Sequence, residues 1–273
     1  MSVLTNAFNP IRFKKDFNYA KLTPTLIFQS PSVSDEIARW VLDKNAILYR
    51  RETYPPHIVK RAFKKWLGEG IATYSPVLLM TDACLYTTDS IVQYFEQRAL
   101  PNNKFVPTDI NKQKEVLDLY HLFTGEFFEE KVSRYVMEQM LPERKLAKKY
   151  FTKGQSKKNK LKVRLFFSNI RKSVMKDLNM QGNSANEHMI EIRKIFSQVD
   201  ALLQDGRKFL TGDTISLADV AFASIGAHLI LPEEYGGELP SIQQIPDAYR
   251  QHVHEMRATA AGQFILRLYQ DNR

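Results

Sequence analysis

The period of the hydrophobic pattern changes once along this chain, and that change constrains the fold more than any other feature. Before residue 100, short apolar runs typical of buried strands alternate with stretches of helical spacing. A segment with two prolines and two asparagines follows, and beyond it only helical spacing remains. The sequence therefore predicts an N-terminal arm at 1–24, an α/β domain at 25–99, a linker at 100–109 and an all-helical domain at 110–273.

The first domain is predicted to alternate strands and helices in an order that fits a mixed sheet. Its strand-like runs are 25–29, 47–52, 77–80 and 84–86. Helical spacing begins after the capping side chains at 32–35 and returns at 57–67 and 89–98. A four-stranded mixed sheet with helices on its faces satisfies that order.

The second domain is predicted to consist of helices throughout. A long amphipathic helix over 110–140 should bend or break near Gly125. The other predicted helices are 161–178, 187–203, 216–229 and 246–269.

Cysteine content and hydropathy exclude several classes of protein. The single cysteine, Cys84, rules out a disulfide framework, a Cys-x-x-Cys redox pair and a cysteine-based zinc site, and its strand context predicts a buried residue. The histidines show no metal-ligand spacing, so we expect no metal. No apolar run reaches the roughly 18 residues of a membrane span. Residues 1–21 lack the apolar core of a secretory signal, which predicts a cytoplasmic protein.

The positive charge of the chain is concentrated in one segment, which we call the basic insert, residues 143–177. It holds 13 Lys and Arg against 2 acidic residues, whereas the whole chain has 39 against 30 and a net charge of +9. The simplest interpretation is a solvated, partly mobile loop between two helices. A surface for an anionic membrane or an acidic protein comes next, and nucleic acid is least favoured because no recognised module accompanies the charge. Phe166 and Phe167 are predicted to be core residues of the following helix.

Three motifs, in their order and spacing, carry a resemblance to a known family. The first stands at the start of the third strand, the second follows the fourth strand, and the third holds a capping box between Ser216 and Asp219. They read Tyr74-Ser75-Pro76-Val77-Leu78, Thr88-Asp89-Ser90-Ile91-Val92-Gln93-Tyr94 and Thr211-Gly212-Asp213-Thr214-Ile215-Ser216-Leu217-Ala218-Asp219. Over residues 25–269 the chain resembles the cytosolic glutathione transferases, of the bacterial type with a serine-like active site.

The resemblance implies a thioredoxin-like N-terminal domain joined to an all-α C-terminal domain, the glutathione-transferase fold. In that family the proline of the first motif, here Pro76, is cis, and the residue before it, here Ser75, pairs its main chain with the cysteinyl part of glutathione. Asp89 and Ser90 are implied to hold the γ-glutamyl group, because a helix start offers unpaired amides and a positive dipole end to a carboxylate. The alternative is that Asp89 and Ser90 only cap their helix.

Glutathione chemistry requires the sulfur of the tripeptide as a thiolate, because the thiol is a poor nucleophile. The family lowers the pKa of that thiol with a hydroxyl at the start of the first helix, and an ungapped alignment of the helix assigns this role to Ser32. Ser30 with Pro31 is the better local copy of the family's Ser-Pro step, and Ser34 lies close enough to compete. Each of these serines could instead only cap the helix.

The leading interpretation is a homodimeric detoxification enzyme that binds glutathione as its cosubstrate and conjugates the thiolate to an apolar electrophile. The acceptor would lie between the two domains, against the first helix and the long helix after the linker. One alternative is a non-catalytic protein of the same fold that binds or interacts. Another is a glutathione-dependent peroxidase or isomerase. Under each of these interpretations, the basic insert could also contact the surface of a membrane.

Overall fold

A computed structural model describes residues 23–56, 58–59, 61–63, 75–180 and 184–273. The predicted N-terminal arm, except its last two residues, lies outside the described residues. So do Tyr74 and much of the predicted helix over 57–67, including His57.

A mixed four-stranded sheet organises the N-terminal part, as predicted. The strands are β1 (Thr25–Gln29), β2 (Arg50–Tyr54), β3 (Val77–Leu79) and β4 (Cys84–Leu85), in the spatial order β2-β1-β3-β4. β1 runs parallel to β2, with Thr25 opposite Arg50, and antiparallel to β3, which is antiparallel to β4. β1 is central because its residues are the most continuously apolar, and its neighbours cover it on both edges.

Side-chain alternation along the strands gives the sheet two buried faces. One face presents Leu26 and Phe28 to a core shared with α1 (Asp35–Lys44), α2 (Thr88–Arg98) and the helical part. The other face presents Ile27 to a smaller cluster. That cluster contains Val59, Phe63, Val77, Leu79 and Cys84.

The second strand begins three residues later than the predicted residue 47. Ala46 has a positive φ of 53°, and the Ile47 N–H donates to the Leu42 carbonyl at 3.0 Å. These features end α1 with a left-handed cap, so the apolar run that follows serves as a connection before the strand starts.

Eight further α-helices form the described C-terminal part. They are α3 (Ile110–Phe123), α4 (Glu129–Met140), α5 (Arg144–Thr152), α6 (Lys157–Asp177), α7 (Ala185–Leu203), α8 (Leu217–Ile230), α9 (Asp247–Arg257) and α10 (Ala260–Asn272). α8 is buried along its whole length and packs against α1, α3, α4, α9 and α10. α8 is therefore the axis of the helical part, and its contact with α1 ties the sheet to it.

Two predicted long helices are each broken. The helix expected over 110–140 is divided into α3 and α4 around Gly125, as its glycine suggested. The helix expected over 246–269 is divided into α9 and α10, because the Thr259 hydroxyl accepts a hydrogen bond from the Gly262 N–H at 3.0 Å and starts a new helix.

The helix predicted over 161–178 is present as α6, which begins four residues earlier. The loop predicted for the rest of the basic insert is wrong, because α5 occupies residues 144–152 and only residues 153–156 lie between the two helices. The lysines and arginines of the insert are good helix formers. They alternate with apolar residues at helical spacing, and those apolar residues are buried. Those residues are Ala147, Tyr150, Phe151, Val163, Phe167, Ile170 and Val174. Phe167 is a core residue as predicted, whereas Phe166 lies at a kink in α6 and is exposed.

Within the described residues, no helix is both long enough and apolar enough to span a bilayer.

Candidate functional site

The turn between β1 and α1 carries the predicted catalytic serines. Ser30 and Pro31 are joined by a cis peptide bond, and the N-cap residue of α1, Ser34, makes no side-chain capping bond. Ser30 is buried, and its N–H donates to the Tyr54 carbonyl at 2.9 Å. Ser32 is half-buried and borders an internal cavity.

A buried carboxylate, Asp35, connects this turn to the start of β3. The Ser75 hydroxyl donates to the two Asp35 carboxylate oxygens at 3.0 and 3.2 Å, and it accepts from the Gln29 N–H at 2.8 Å. The Ser32 hydroxyl lies close enough to Asp35 to lower the pKa of that carboxyl. One carboxylate therefore brings together Ser32 and Ser75, two residues that the sequence assigned to different tasks.

Burial raises the pKa of Asp35 to about 7. The nearby Arg39 guanidinium and the hydroxyls of Ser75 and Ser32 lower it, but they do not offset the desolvation. Arg39 itself is buried and paired with Glu36. Near neutral pH, Asp35 therefore lies close to the midpoint of its titration.

The cavity beside Ser32, which we call the interface cavity, has a volume of about 140 Å³. It lies between the sheet and the helical part and has mostly apolar walls. Its walls comprise Gln29, Pro31, Ser32, Val33 and Pro56 on the sheet side, and Glu129, Ser133, Met137, Tyr150, Phe151, Val174, Asp177 and Leu178 on the helical side. The predicted long helix contributes through α4, and the basic insert contributes through α5 and α6.

The Ser75–Pro76 peptide bond is cis. Pro76 is buried and Ser75 is half-buried. The Ser75 main-chain N–H and carbonyl have no hydrogen-bond partner among the described residues. These two groups remain available at the edge of the sheet.

The start of α2 is closed by a capping box between Thr87 and Ser90. The Ser90 N–H donates to the Thr87 hydroxyl at 3.0 Å, and the Thr87 N–H donates to the Ser90 hydroxyl at 3.1 Å. The Ser90 hydroxyl also donates to the Thr87 carbonyl at 2.9 Å. Ser90 therefore uses its side chain on its own helix, while the N–H groups of Thr88 and Asp89 have no partner among the described residues.

A second carboxylate from the helical part joins the site. Glu129, the first residue of α4, is hydrogen-bonded by Ser34, and burial raises its pKa to about 7, with the charges of Asp35 and Asp89 adding to the rise. Asp89 is exposed and accepts a hydrogen bond from the Tyr120 hydroxyl at 2.5 Å. Three carboxyl groups thus surround the starts of α1 and α2, where they favour a cationic group.

Behind the turn, a buried histidine holds the main chain in place. His228 of α8 interacts with the main chain of Ser32, and burial lowers its pKa to about 3. Its Nδ1 lies 3.4 Å from the Tyr150 hydroxyl, and its Nε2 lies 3.3 Å from the Tyr235 hydroxyl. His228 is therefore neutral and positions the turn that carries Ser32.

Cys84 lies at the start of β4, away from the interface cavity. Burial raises the pKa of its thiol to about 12, so the thiolate is scarce at neutral pH. The side chain behaves as a small buried hydrophobic residue, as predicted.

Comparison with known proteins identifies the architecture. Residues 166–244 match the family model described as glutathione S-transferase, C-terminal domain. The glutathione S-transferase of Ceriporiopsis subvermispora in complex with glutathione is 11% identical, with 92% of this chain and 99% of that one covered and a TM-score of 0.55. The chain has the glutathione S-transferase fold, and its residues 166–244 match the C-terminal domain of that family.

Other solved structures of similar fold share little sequence with the chain. The β-etherase LigF from Sphingobium sp. strain SYK-6 is 17% identical, with 90% of this chain and 99% of that one covered and a TM-score of 0.55. FzlA from C. crescentus is 16% identical, with 92% and 93% covered and a TM-score of 0.52. No curated protein matches the sequence. These likenesses confirm the predicted thioredoxin-like plus all-α fold.

Sequence reasoning missed several residues of the candidate site. Asp35 was noticed only as a capping oxygen, although an acidic residue in the first helical turn beside a serine cluster was a visible signal. His228 was detectable as a polar residue inside a helix of apolar residues. Glu129 and Tyr150 had no signal, because only the packing of α4 and α5 against the sheet brings them to Ser32.

Proposed function

We propose that this protein binds glutathione between Ser75 and the start of α2, and transfers the sulfur to an apolar electrophile in the interface cavity. The observation that carries the proposal is the position of Asp35, which accepts from the Ser75 hydroxyl and has the Ser32 hydroxyl beside it, so that a candidate sulfur site adjoins a candidate peptide site. The solved transferase of C. subvermispora, which holds glutathione, supports the same ligand through its similar fold.

The cysteinyl and γ-glutamyl parts of glutathione meet complementary chemistry at this site. The cysteinyl main chain would pair with the free N–H and carbonyl of Ser75. The γ-glutamyl carboxylate would meet the N–H groups of Thr88 and Asp89 at the positive end of the α2 dipole. Its ammonium group would be held by the carboxylates of Asp89 and Glu129.

Ser32 is the proposed hydroxyl donor that stabilises the thiolate. Its position at the edge of the interface cavity would direct the sulfur towards the apolar walls. When Asp35 carries a proton it can donate to Ser32, which frees the serine proton for the sulfur. The raised pKa of Asp35 makes that arrangement accessible near neutral pH.

A second candidate is a binding protein of the same fold without transferase turnover. The specific observation in its favour is the volume of the interface cavity, about 140 Å³, which is below the roughly 300 Å³ of small ligand pockets. Measurable glutathione binding without conjugation of aromatic halides would select this candidate.

The binding site is tested by replacing Asp89 with asparagine and measuring glutathione affinity by calorimetry. We expect Asp89→Asn to weaken binding about tenfold, because a charge-assisted contact to the ammonium group is lost. Asp82→Asn is the matched control, because Asp82 is also exposed and accepts from a tyrosine hydroxyl, that of Tyr94 at 2.7 Å. Equal affinities in the two variants would contradict the proposed site.

A further inference from the structure

We propose that the outward face of α6 docks this protein onto the surface of an anionic lipid bilayer. This α6 outer face comprises Lys157, Lys158, Leu161, Leu165 and Lys172, which lie on the side of the helix opposite its buried stripe. The inference is independent of glutathione binding.

The first argument is uncompensated charge. Residues 144–176 contain no acidic residue, and 13 Lys and Arg lie within the basic insert. Lys153 is 3.7 Å from Glu238, but Lys157, Lys158 and Lys172 make no ion pair with any described residue. The first turn of α6 also places two lysines at the positive end of the helix dipole, which is unfavourable until an anion approaches.

The second argument is exposed apolar area within that charge. Leu161, Leu165 and Phe166 are 56%, 67% and 53% exposed. Phe166, which lies at the kink in α6, is exposed directly after Leu165 in the sequence. Elsewhere in the described chain, the other large exposed apolar residues stand singly: Leu48, Leu100, Ile110, Phe127 and Ile190. A cluster of this kind marks an interaction site.

The third argument is the rigid attachment of the helix behind this face. The buried side of α6 contributes Phe167, whose ring centroid lies 6.2 Å from that of Phe151 in α5. Asn159 donates to the Thr53 carbonyl of the edge strand β2 at 3.2 Å. α6 is therefore fixed to both parts of the molecule and presents its outer side as a ridge about 30 Å long that bends at Phe166.

The mixture of side chains favours a bilayer over other anionic partners. Lysines attract the phosphate and carboxylate groups of anionic headgroups, while leucine and phenylalanine side chains enter the boundary between headgroups and acyl chains. A nucleic-acid backbone would use the lysines and leave the leucines in water. A bilayer is the partner that uses both.

The test is sedimentation of the full chain with phosphatidylcholine vesicles that contain or lack 30% phosphatidylserine, at low and high salt. We expect binding only to the anionic vesicles and weakening at high salt. Lys158→Gln with Lys172→Gln should lower the affinity about thirtyfold, since each lysine contributes roughly a factor of five. Lys112→Gln with Lys208→Gln, two exposed lysines on other elements, is the matched control and should bind like the wild type.

Variants of the exposed leucines distinguish binding to a bilayer from binding to a partner that uses charge alone. Leu161→Gln with Leu165→Gln keeps the helix propensity and should lower vesicle affinity at least tenfold, whereas Ile190→Gln should not. Circular dichroism confirms that each variant is folded. The proposal is overturned if the wild type ignores anionic vesicles at low salt. It is also overturned if the leucine variant binds vesicles like the wild type, or if an oligonucleotide binds more tightly than the vesicles.

Discussion

Two helix starts in this molecule carry the same kinds of polar residue and use them differently. At the start of α8, the Asp219 carboxylate accepts from the Ser216 N–H at 2.7 Å, the Ser216 hydroxyl at 2.6 Å and the Leu210 N–H at 2.7 Å. All three partners belong to the same local turn and are buried. At this start the polar groups therefore stabilise the helix itself.

At the start of α1 the polar groups face away from their helix. The N-cap serine makes no capping bond, and the Asp35 carboxylate accepts from the Ser75 hydroxyl and lies beside the Ser32 hydroxyl instead. Burial raises the pKa of this carboxyl, as it does for Asp219, yet only Asp35 lies next to an internal cavity through Ser32. The comparison teaches that a serine and an acidic residue at a helix start indicate function only when they hydrogen-bond to residues of another structural element.

The largest expected effect is on stability, at the start of α8. Asp219→Ala should lower the free energy of unfolding by about 3–4 kcal/mol, because three buried hydrogen bonds lose their acceptor. Denaturant-induced unfolding measures the change. Asp213→Ala, an exposed aspartate of the same motif, is the control and should cost less than about 0.5 kcal/mol. A loss below about 1 kcal/mol for Asp219→Ala would mean that the buried box is not structural.

The next effect concerns activity at the start of α1. Ser32→Ala should reduce the turnover of glutathione with an aromatic halide about a hundredfold, because one preorganised donor to the thiolate is lost. Its unfolding free energy should change by less than about 1 kcal/mol. Ser34→Ala is the comparison, since Ser34 does not line the interface cavity and lies beside Glu129, so its loss should affect glutathione binding more than turnover. Full turnover in Ser32→Ala would remove the catalytic role from this residue.

A smaller expected effect is the pH dependence of stability that Asp35 causes at the start of α1. The pKa of Asp35 is raised to about 7, so the folded protein holds this proton more tightly than the unfolded chain. Wild-type stability should therefore fall as pH rises from about 4 to about 7, the unfolded and folded values. Asp35→Asn cannot ionise at this position. Its free energy of unfolding, relative to that of the wild type, should therefore rise by about 1–3 kcal/mol between pH 4 and pH 8.

Thermal unfolding of both proteins at several pH values provides the measurement. Glu129, whose pKa is raised in the same direction, is present in both proteins. Because the charge of Asp35 contributes to that rise, Glu129 should contribute slightly less to the stability curve of Asp35→Asn. Parallel stability curves for the wild type and Asp35→Asn across this range would contradict the assigned titration.

The smallest expected effect tests whether Ser90 only caps α2 or also contacts the ligand. The start of α2 resembles that of α8 more than that of α1. Ser90→Ala should cost about 1 kcal/mol of stability, because it opens the capping box with Thr87. Glutathione affinity should change less than threefold, since the amides of Thr88 and Asp89 remain. Thr259→Ala removes a comparable cap from α10 and is the matched control. A tenfold loss of affinity in Ser90→Ala alone would show a direct ligand contact.

Local patterns were sufficient to predict the strands, the capping box and most helices. β1 was predicted from its apolar run and turn signal, and the box of α8 from the spacing of Ser216 and Asp219. The basic insert was misread because charge describes the outer side of α6, whereas its fold is decided by the buried side. Composition averages over both sides of a helix, so it obscured the spacing.

The candidate site could be predicted only in part, because its parts come from distant segments. Ser32 and Ser75 were found through motif resemblance, but their common partner, Asp35, emerges only when β3 pairs with β1. Glu129 and His228 arrive from α4 and α8, and no local pattern encodes that approach.

The most direct test of the central claim is a crystal structure of the protein soaked with glutathione. We predict the tripeptide with its cysteinyl main chain hydrogen-bonded to Ser75, and its sulfur within about 3.5 Å of the Ser32 hydroxyl at the mouth of the interface cavity. An unoccupied groove at saturating glutathione, or a tripeptide whose sulfur points away from Ser32, would contradict the account.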